Sequence, residues 1–126
     1  MPANTLSGRV RKATESDASR ILEIHQGKFV FDVSKLIDKF FVYDDGMVKG
    51  YACLKDGQLK MIGVDINCQN QGIGSALLQS LNVDYLWISE KNQKAIAFFK
   101  KNGFELSNIK LPETKEHYLV LMKKSG

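Results

Sequence analysis

The sequence is poor in cysteine, histidine and proline, and it has no long apolar run. Its two cysteines, Cys53 and Cys68, are too few for a disulfide framework and too far apart for a CxxC redox pair. The two histidines match no spacing typical of metal ligands, so we assign no metal. With two prolines and ten glycines, the chain is neither collagen-like nor Pro/Gly-rich. No stretch approaches the ~18 apolar residues that span a membrane, so we expect no membrane partner.

Length and composition indicate an ordinary globular protein. The chain has 126 residues, of which 44% are hydrophobic and 25% charged, close to the average for globular domains. A chain of this length buries roughly two-thirds of its unfolded surface, which is enough for a core of its own. Residues 1–10 lack the apolar segment of a signal peptide. We therefore expect a single domain over residues 1–126, located in the cytoplasm.

Charge is distributed unevenly along the chain. Residues 1–90 carry 10 basic and 11 acidic side chains, whereas residues 91–126 carry 8 basic and 3 acidic ones. A basic C-terminal third is typical of proteins that bind a nucleotide, a phosphate or a nucleic acid. Lysines that lie on a solvated helix face and bind no ligand would give the same excess of basic residues. Since Phe98, Phe99 and Phe104 fall at core-like positions, we expect no nucleic-acid partner.

Hydrophobic periodicity predicts an α+β chain with the element order βααβββαβαββ. Thr14 and Asp17 have the spacing of a capping box at the start of the first helix. Asp32 is predicted to cap the second helix. The apolar face of that second helix would consist of Val33, Leu36, Ile37 and Phe40. Turn signals at residues 44–46 and 55–57 then separate the three strands of a meander.

A polar segment that contains two glycines follows the meander and precedes the next helix. Its residues are Gln69, Asn70, Gln71, Gly72, Ile73 and Gly74. Glycines let a backbone approach a ligand closely, and the N–H groups at a helix N-terminus attract anions. An ordinary glycine-rich turn has the same composition. The segment is not a P-loop, because no G-x-x-x-x-G-K-[ST] string occurs, and Leu77 stands where a dinucleotide fingerprint needs a small residue.

Two blocks of the sequence resemble those of the GNAT superfamily of N-acetyltransferases. The first block is Val64 followed by residues 69–78, which resembles the Q/R-x-x-G-x-G/A signature for acetyl-coenzyme A. The second block, residues 92–104, resembles N-x-x-A-x-x-[FL]-Y-x-x-x-G-F. The blocks come in the family's order with the family's strand between them. The resemblance implies the GNAT fold, a mixed central sheet of about six to seven strands flanked by about four helices.

The resemblance also implies a site for acetyl-coenzyme A, where the strand ending near Ile66 diverges from the strand at residues 85–88. Loop N–H groups would hold the pyrophosphate. The backbone from Val64 to Ile66 would hold the pantetheine arm, and the Val64 N–H would polarise the thioester carbonyl. The implied cofactor-binding residues are Val64, Ile66, Gln69, Gln71, Gly72, Ile73, Gly74, Ser75, Asn92, Phe98 and Phe99.

Three departures from the family pattern bear on the chemistry and on the fold. Phe99 replaces the usual tyrosine and has no proton to donate. The usual glutamate base is not evident; Asp65 is the candidate catalytic carboxylate, since it adjoins Val64, and Glu90 is the other acid close in sequence. A solvated surface role stays open for both acids. Residues 75–84 are short for the family's central helix and its connection, which predicts a helix of about two turns.

The function implied by the resemblance is direct acetyl transfer from acetyl-coenzyme A to a primary amine in a ternary complex. Because no covalent intermediate is needed, Cys68 is not expected to be a nucleophile. The acceptor, a small amine or a peptide amine, is set in this family partly by loops, here residues 26–31 and 110–116. The alternative is a GNAT-fold module that binds acetyl-coenzyme A with little or no turnover, as a sensor or partner-binding domain. The oligomeric state stays open, with a homodimer as one choice.

Overall fold

The structure is a computed structural model that describes residues 8–25 and 32–125. Within these residues, seven strands form one sheet. The strands are β1 (Arg9–Lys12), β2 (Phe40–Asp44), β3 (Val48–Lys55), β4 (Gln58–Val64), β5 (Tyr85–Ser89), β6 (Phe104–Pro112) and β7 (Tyr118–Lys124). The helices are α1 (Ala18–His25), α2 (Ile73–Ser80), α3 (Gln93–Lys101) and the 3₁₀ helices Glu15–Asp17, Val33–Lys39 and Ile66–Cys68. The predicted order of elements is confirmed.

The sheet is open between its fourth and fifth strands. The strand order is β1-β2-β3-β4-β5-β7-β6, and all neighbours are antiparallel except β4 and β5. The pairing described between these two parallel strands is limited to Gln58 and Tyr85, at their N-terminal ends. From that point the strands diverge, and they leave a wedge-shaped gap that widens toward their C-terminal ends.

Helices pack on both faces of the sheet. Alternate side chains of β2 show this: Phe40 and Val42 join the core under α1, whereas Phe41 and Tyr43 join the core under α2 and α3. Each large apolar side chain that is fully buried contributes about 1.5–3 kcal/mol. The gap between β4 and β5 therefore has α2 and α3 on one side and the end of α1 on the other.

Side-chain caps fix the two segments that precede β2. The Asp17 carboxylate accepts a hydrogen bond from the Thr14 backbone N–H at 2.8 Å, as the capping pattern predicts. The Asp32 carboxylate accepts one from the Ser34 N–H at 2.9 Å, so its predicted role as a cap is also confirmed.

The second helix differs from its prediction. Val33–Lys39 is a 3₁₀ helix with a kink at Leu36, where φ is −112° and ψ is 18°. Val33 is buried, but Leu36 is 37% exposed and Phe40 belongs to β2. Val33, Ile37 and Phe40 pack in the core under α1, as the predicted apolar face requires. Leu36 does not, because a 3₁₀ helix has three residues per turn and does not align every residue at α-helical spacing.

The connections around the gap are short. Asp56 and Gly57 have φ values of 50° and 84°, the two left-handed positions of a tight hairpin turn between β3 and β4. α2 has eight residues, in agreement with the predicted two turns.

The predicted acceptor loop at residues 26–31 lies outside the described residues, and the other predicted acceptor loop, residues 110–116, includes the end of β6. No helix in the described part of the chain is long and apolar enough to cross a membrane.

Candidate active site

A cleft of about 660 Å³ lies where β4 and β5 diverge, on the side of α2 and α3. Its described lining residues are Ile62, Gly63, Val64, Cys68, Gln69, Asn70, Gln71, Gly72, Ile73, Gly74, Ser75, Asn92, Lys94, Ala95, Phe98, Phe99 and Lys101. All of the predicted cofactor-binding residues except Ile66 are among them. The fold thus brings both sequence blocks to one cleft.

The loop before α2 has a backbone suited to an anion. Asn70 and Gly72 are left-handed, with φ values of 64° and 86°, and Gly72 is the N-cap of α2. The first bond of the helix runs from the Ala76 N–H to the Gly72 carbonyl at 2.9 Å. The N–H groups of Ile73 and the next two residues therefore precede the helical ladder. Because these N–H groups are unpaired at a helix N-terminus, this end of the cleft favours negative charge.

Gly74 allows α2 and α3 to meet beside the cleft. A Cβ at this position would lie 3.2 Å from Phe98 Cζ and 3.7 Å from Val64 Cγ2. A contact of 3.2 Å is tight for a Cβ, so Gly74 is explained by close packing. Phe98 and Val64 give this part of the cleft an apolar wall.

The backbone of Val64 is directed toward the gap. The next residue, Asp65, donates its N–H to the Lys49 carbonyl at 2.9 Å, next to β3. Successive residues in an antiparallel strand direct their backbone groups to opposite sides, so those of Val64 point toward β5. The Val64 carbonyl accepts a hydrogen bond from the Gln69 side-chain amide at 3.4 Å. Since β5 has diverged at this level, the Val64 N–H has the direction that the predicted oxyanion donor requires.

α3 supplies two basic side chains to the cleft. Lys94 and Lys101 line the cleft, and no aspartate or glutamate is among the described lining residues. Lys94, Phe98 and Lys101 are spaced by four and three residues, which places them on one helix face. This spacing is the sequence signal that places Lys94 on the same helix face as Phe98 and Lys101. Ile62 was missed, although it lies two residues before Val64 and so on the same face of β4.

Asn92 and Phe99 hold α3 in place at the cleft. The Asn92 Oδ1 accepts a hydrogen bond from the Ala95 N–H at 3.2 Å and so caps the helix. The Phe99 ring is 4% exposed and packs edge-on against Phe98 and Phe104, with centroids 5.1 and 6.0 Å away. Phe99 therefore contributes packing at the cleft wall but has no proton to give.

The structure places Asp65 and Ile66 elsewhere than expected. The Asp65 carboxylate accepts hydrogen bonds from the Asn67 N–H at 2.8 Å and from Arg20 of α1 at 2.5 Å, on the sheet face opposite the cleft. These bonds lower the pKa of Asp65, that of Asn67 most, so the carboxylate is a poor base. Ile66 is 60% exposed, because β4 ends at Val64 and a 3₁₀ helix follows. Neither residue is therefore among the described residues that line the cleft.

The chain is similar to known proteins in sequence and in structure. The family model of the acetyltransferase (GNAT) domain matches residues 37–106, from the second helix to the start of β6. A search of curated proteins finds no significant match.

Several solved structures share the fold. A GNAT family acetyltransferase from Bacillus cereus ATCC 10987 has a TM-score of 0.75 at 20% identity, covering 94% of this chain and 99% of that one. The ribosomal-protein-alanine N-acetyltransferase from Brucella melitensis has a TM-score of 0.69 at 22% identity, covering 93% and 99%. The N-acetylglutamate synthase from Neisseria gonorrhoeae, complexed with coenzyme A and N-acetyl-glutamate, has a TM-score of 0.69 at 17% identity, covering 97% of this chain and 36% of that one. These TM-scores show a common fold, and the family model covers more than half of the sequence. The chain therefore belongs to the GNAT family of acetyltransferases, an acyltransferase family, as its two sequence blocks predicted.

Proposed function

We propose that this chain is an N-acetyltransferase that transfers the acetyl group of acetyl-coenzyme A to a primary amine by direct attack in a ternary complex. One observation carries the proposal. A single cleft between diverging strands combines the N–H groups of the glycine loop, the outward backbone of Val64 and two lysines. The N–H groups and the lysines suit a pyrophosphate. The outward backbone of Val64 suits an amide-containing arm and a thioester.

The loop and α3 are suited to the phosphates. In the proposed complex the N–H groups of Gln71, Gly72, Gly74 and Ser75 donate to the pyrophosphate oxygens. Lys94 and Lys101 add positive charge along the same wall. Each exposed charge pair of this kind contributes modestly, on the order of 0.2–1 kcal/mol.

The outward edge of β4 is suited to the pantetheine arm and the thioester. Val64 and Ile62 have the same parity in the strand, so both direct backbone groups toward the gap, where β5 no longer pairs with them. Acetyl-coenzyme A supplies an activated acyl group. The Val64 N–H stabilises the negative charge that develops on the carbonyl oxygen, and donors of this kind are worth about 10²–10³-fold in rate. Direct transfer leaves no role for a nucleophilic Cys68.

A second candidate function is binding without turnover. It is favoured by Phe99 at the position of the usual tyrosine, and by the lack of a carboxylate among the described residues that line the cleft. The two functions share the cofactor site, and they differ in whether an amine is acetylated.

Calorimetry with coenzyme A tests the site that both functions share. Gly72→Asp places a carboxylate at the N-terminus of α2, and we expect affinity to fall at least about tenfold, or 1.4 kcal/mol. Gly46→Asp is the matched control: Gly46 has a φ of 110°, a Cβ added there would meet nothing within 4 Å, and it does not line the cleft. It likewise places an aspartate at a left-handed backbone position, but away from the cleft. Equal affinities for both variants would contradict the proposed site.

A screen of primary amines with acetyl-coenzyme A separates the two functions. We expect amine-dependent release of free thiol, with the acetylated amine detected by mass spectrometry. Tight binding of coenzyme A with no acetylated amine across small amines and peptide N-termini would support the binding module.

A further inference from the structure

The last residue of β4 has an outward backbone carbonyl at a level where β5 has already diverged. Val64 lies opposite Gly50 of β3, and the Asp65 N–H donates to the Lys49 carbonyl at 2.9 Å. This pattern makes Val64 and Gly50 a non-hydrogen-bonded pair, so both backbone groups of Val64 point away from β3. In the described part of the chain, β5 pairs with β4 only at the opposite end of the strand. The end of β4 therefore needs another group to hold its outward backbone.

Gln69 supplies such a group from five residues further along the chain. Its side-chain Nε2 donates to the Val64 carbonyl at 3.4 Å, and Gln69 lines the cleft. A carbonyl can only accept, so the nitrogen of the side-chain amide faces it, and not the oxygen. Gln69 is exposed, and a bond of this length at an exposed side chain adds little to stability. Its loss should therefore leave the protein folded.

The turn between Val64 and Gln69 is fixed by hydrogen bonds of its own. The Asp65 carbonyl accepts from the Cys68 N–H at 2.8 Å, and the Asp65 carboxylate accepts from the Asn67 N–H at 2.8 Å. Gln69 then resumes an extended backbone, with φ of −71° and ψ of 161°. The side chain of Gln69 thus reaches back to the end of β4 from a fixed position.

The peptide unit that joins Val64 and Asp65 is consequently held at both ends. Its N–H donates to the Lys49 carbonyl, and its carbonyl accepts from Gln69. The residue before Val64, Gly63, is held by the register of β4 with β3. Because the backbone on both sides of Val64 is anchored, its N–H keeps its direction into the gap. An oxyanion donor has to be aimed at the developing charge, and a displacement of about 1 Å can cost about 10²-fold in rate.

We infer that Gln69 is a positioning residue for acetyl transfer. Its side-chain amide takes the place of a neighbouring strand at the Val64 carbonyl and so keeps the Val64 N–H directed at the thioester. The inference rests on the proposed function, because the thioester is part of that proposal. The role differs from direct binding of the cofactor, which would set the affinity for coenzyme A and not the rate of transfer.

Three variants at position 69 and one control test the inference. Gln69→Met keeps the length of the side chain but donates no hydrogen bond, Gln69→Glu can only accept, and Gln69→Arg can still donate. Gln79→Met is the matched control. The exposed Gln79 amide donates to Asn102 at 3.3 Å, and Gln79 is not among the described residues that line the cleft. Thermal unfolding shows which variants are folded.

Two measurements separate positioning from cofactor binding. The first compares kcat for an amine at saturating acetyl-coenzyme A with the affinity for coenzyme A by calorimetry. The second is the infrared stretching frequency of the acetyl carbonyl in bound acetyl-coenzyme A that carries ¹³C at this carbon. A hydrogen bond to a carbonyl lowers its stretching frequency, so the frequency reports on the Val64 N–H. This second measurement needs no turnover.

We expect Gln69→Met to lower kcat about 10- to 10²-fold, with coenzyme A affinity within about twofold of wild type. The frequency of the bound acetyl carbonyl should be higher in Gln69→Met and Gln69→Glu than in the wild type. Gln69→Arg and Gln79→Met should keep the wild-type frequency. If Gln69→Met does not fold, the frequencies of Gln69→Glu and Gln69→Arg decide the question.

The possible failures of the two proposals can be told apart. A wild-type carbonyl frequency in Gln69→Met, or a change in coenzyme A affinity with unchanged kcat, overturns the inference while acetyl transfer stands. The expected change of frequency in a protein that acetylates no amine supports the positioning of Val64 and overturns acetyl transfer. A wild-type protein that does not bind acetyl-coenzyme A overturns both.

Discussion

Gly74 of α2 lies so close to Phe98 of α3 that a Cβ at position 74 would stand 3.2 Å from Phe98 Cζ. Phe98 is half-buried and lines the cleft, so its ring can yield by moving into the cofactor site. We expect Gly74→Ala to change the free energy of unfolding by less than about 1 kcal/mol, because a gain in helix propensity of up to ~1 kcal/mol offsets the crowding. Coenzyme A affinity should fall about 3- to 10-fold by calorimetry.

Gly50→Ala is the matched control for this substitution. A Cβ at Gly50 would lie 3.0 Å from both Ile73 Cγ2 and Leu77 Cδ1, which are buried in the core under α2. Leu77 is fully buried and is not among the described residues that line the cleft, and the Gly63 carbonyl oxygen, a backbone atom, would lie 3.2 Å from the new Cβ. This variant should therefore lose about 1–3 kcal/mol of stability. Unchanged coenzyme A affinity in Gly74→Ala would mean that Phe98 does not contact the cofactor.

Lys101 and Lys100 are neighbours in sequence, but only Lys101 is among the described residues that line the cleft. We expect Lys101→Gln to weaken coenzyme A binding about 2- to 5-fold at 0.1 M salt, because it removes a charge that attracts the phosphates. The remaining affinity should depend less on salt, since screening acts over about 10 Å at this ionic strength. Calorimetry across a salt series measures both effects. Lys100→Gln should bind coenzyme A with the affinity of the wild type. An equal loss of affinity in both variants would mean that the overall positive charge of α3 attracts the phosphates, and not Lys101 in particular.

Features that depend on residues close in sequence could be predicted. Asn92 caps α3 through its own side chain, and Gly103, with a φ of 90°, ends that helix. The loop before α2 followed from Gly72 and Gly74, since glycine supplies the left-handed cap and the close approach. Because such signals depend only on nearby residues, they were enough to predict the order of the elements and most of the residues that line the cleft.

Features that depend on the register of distant segments could not be predicted. Side chains alternate along β4, so Asp65, the residue after its end, points to the other face of the sheet from Val64. Both faces carry an apolar core, so the sequence does not tell which face the cleft uses. The partner of Asp65, Arg20, is 45 residues away. In the same way, the contact of Tyr51 with Gly63 follows from the pairing of β3 with β4.

Asp65 is expected to stabilise the fold without serving as the base. Its pKa is lowered from 3.8, so its carboxylate stabilises the folded state above the unfolded-state pKa, and this contribution is lost as pH falls through the folded value. The difference in Tm between wild type and Asp65→Asn should therefore be largest near pH 7 and shrink below about pH 4. Asparagine can still cap Asn67, so amine acetylation should stay within about threefold of wild type.

A double-mutant cycle checks the partner of Asp65. Arg20→Gln should lower Tm as well, and the double variant should lose less than the sum of the two single losses, because both remove one ion pair. A loss of acetylation by about 10²-fold in Asp65→Asn, with normal coenzyme A binding, would restore this carboxylate as the base.

The last prediction concerns the position of the usual tyrosine. The Phe99 ring is buried against Phe98 and Phe104 and also lines the cleft, so a hydroxyl added to it can reach the cofactor site. Phe99→Tyr should raise turnover, because a phenol can protonate the leaving thiolate. The gain should stay below about 10²-fold, since without a tyrosine the thiolate can still take its proton from water or from the substrate's own ammonium. Stability should change by less than about 1.5 kcal/mol. Phe104→Tyr is the control: it has the same 4% exposure but does not line the cleft, so its hydroxyl should only destabilise. A Phe99→Tyr protein that binds acetyl-coenzyme A normally, yet acetylates no amine in the thiol-release assay, would favour the binding module.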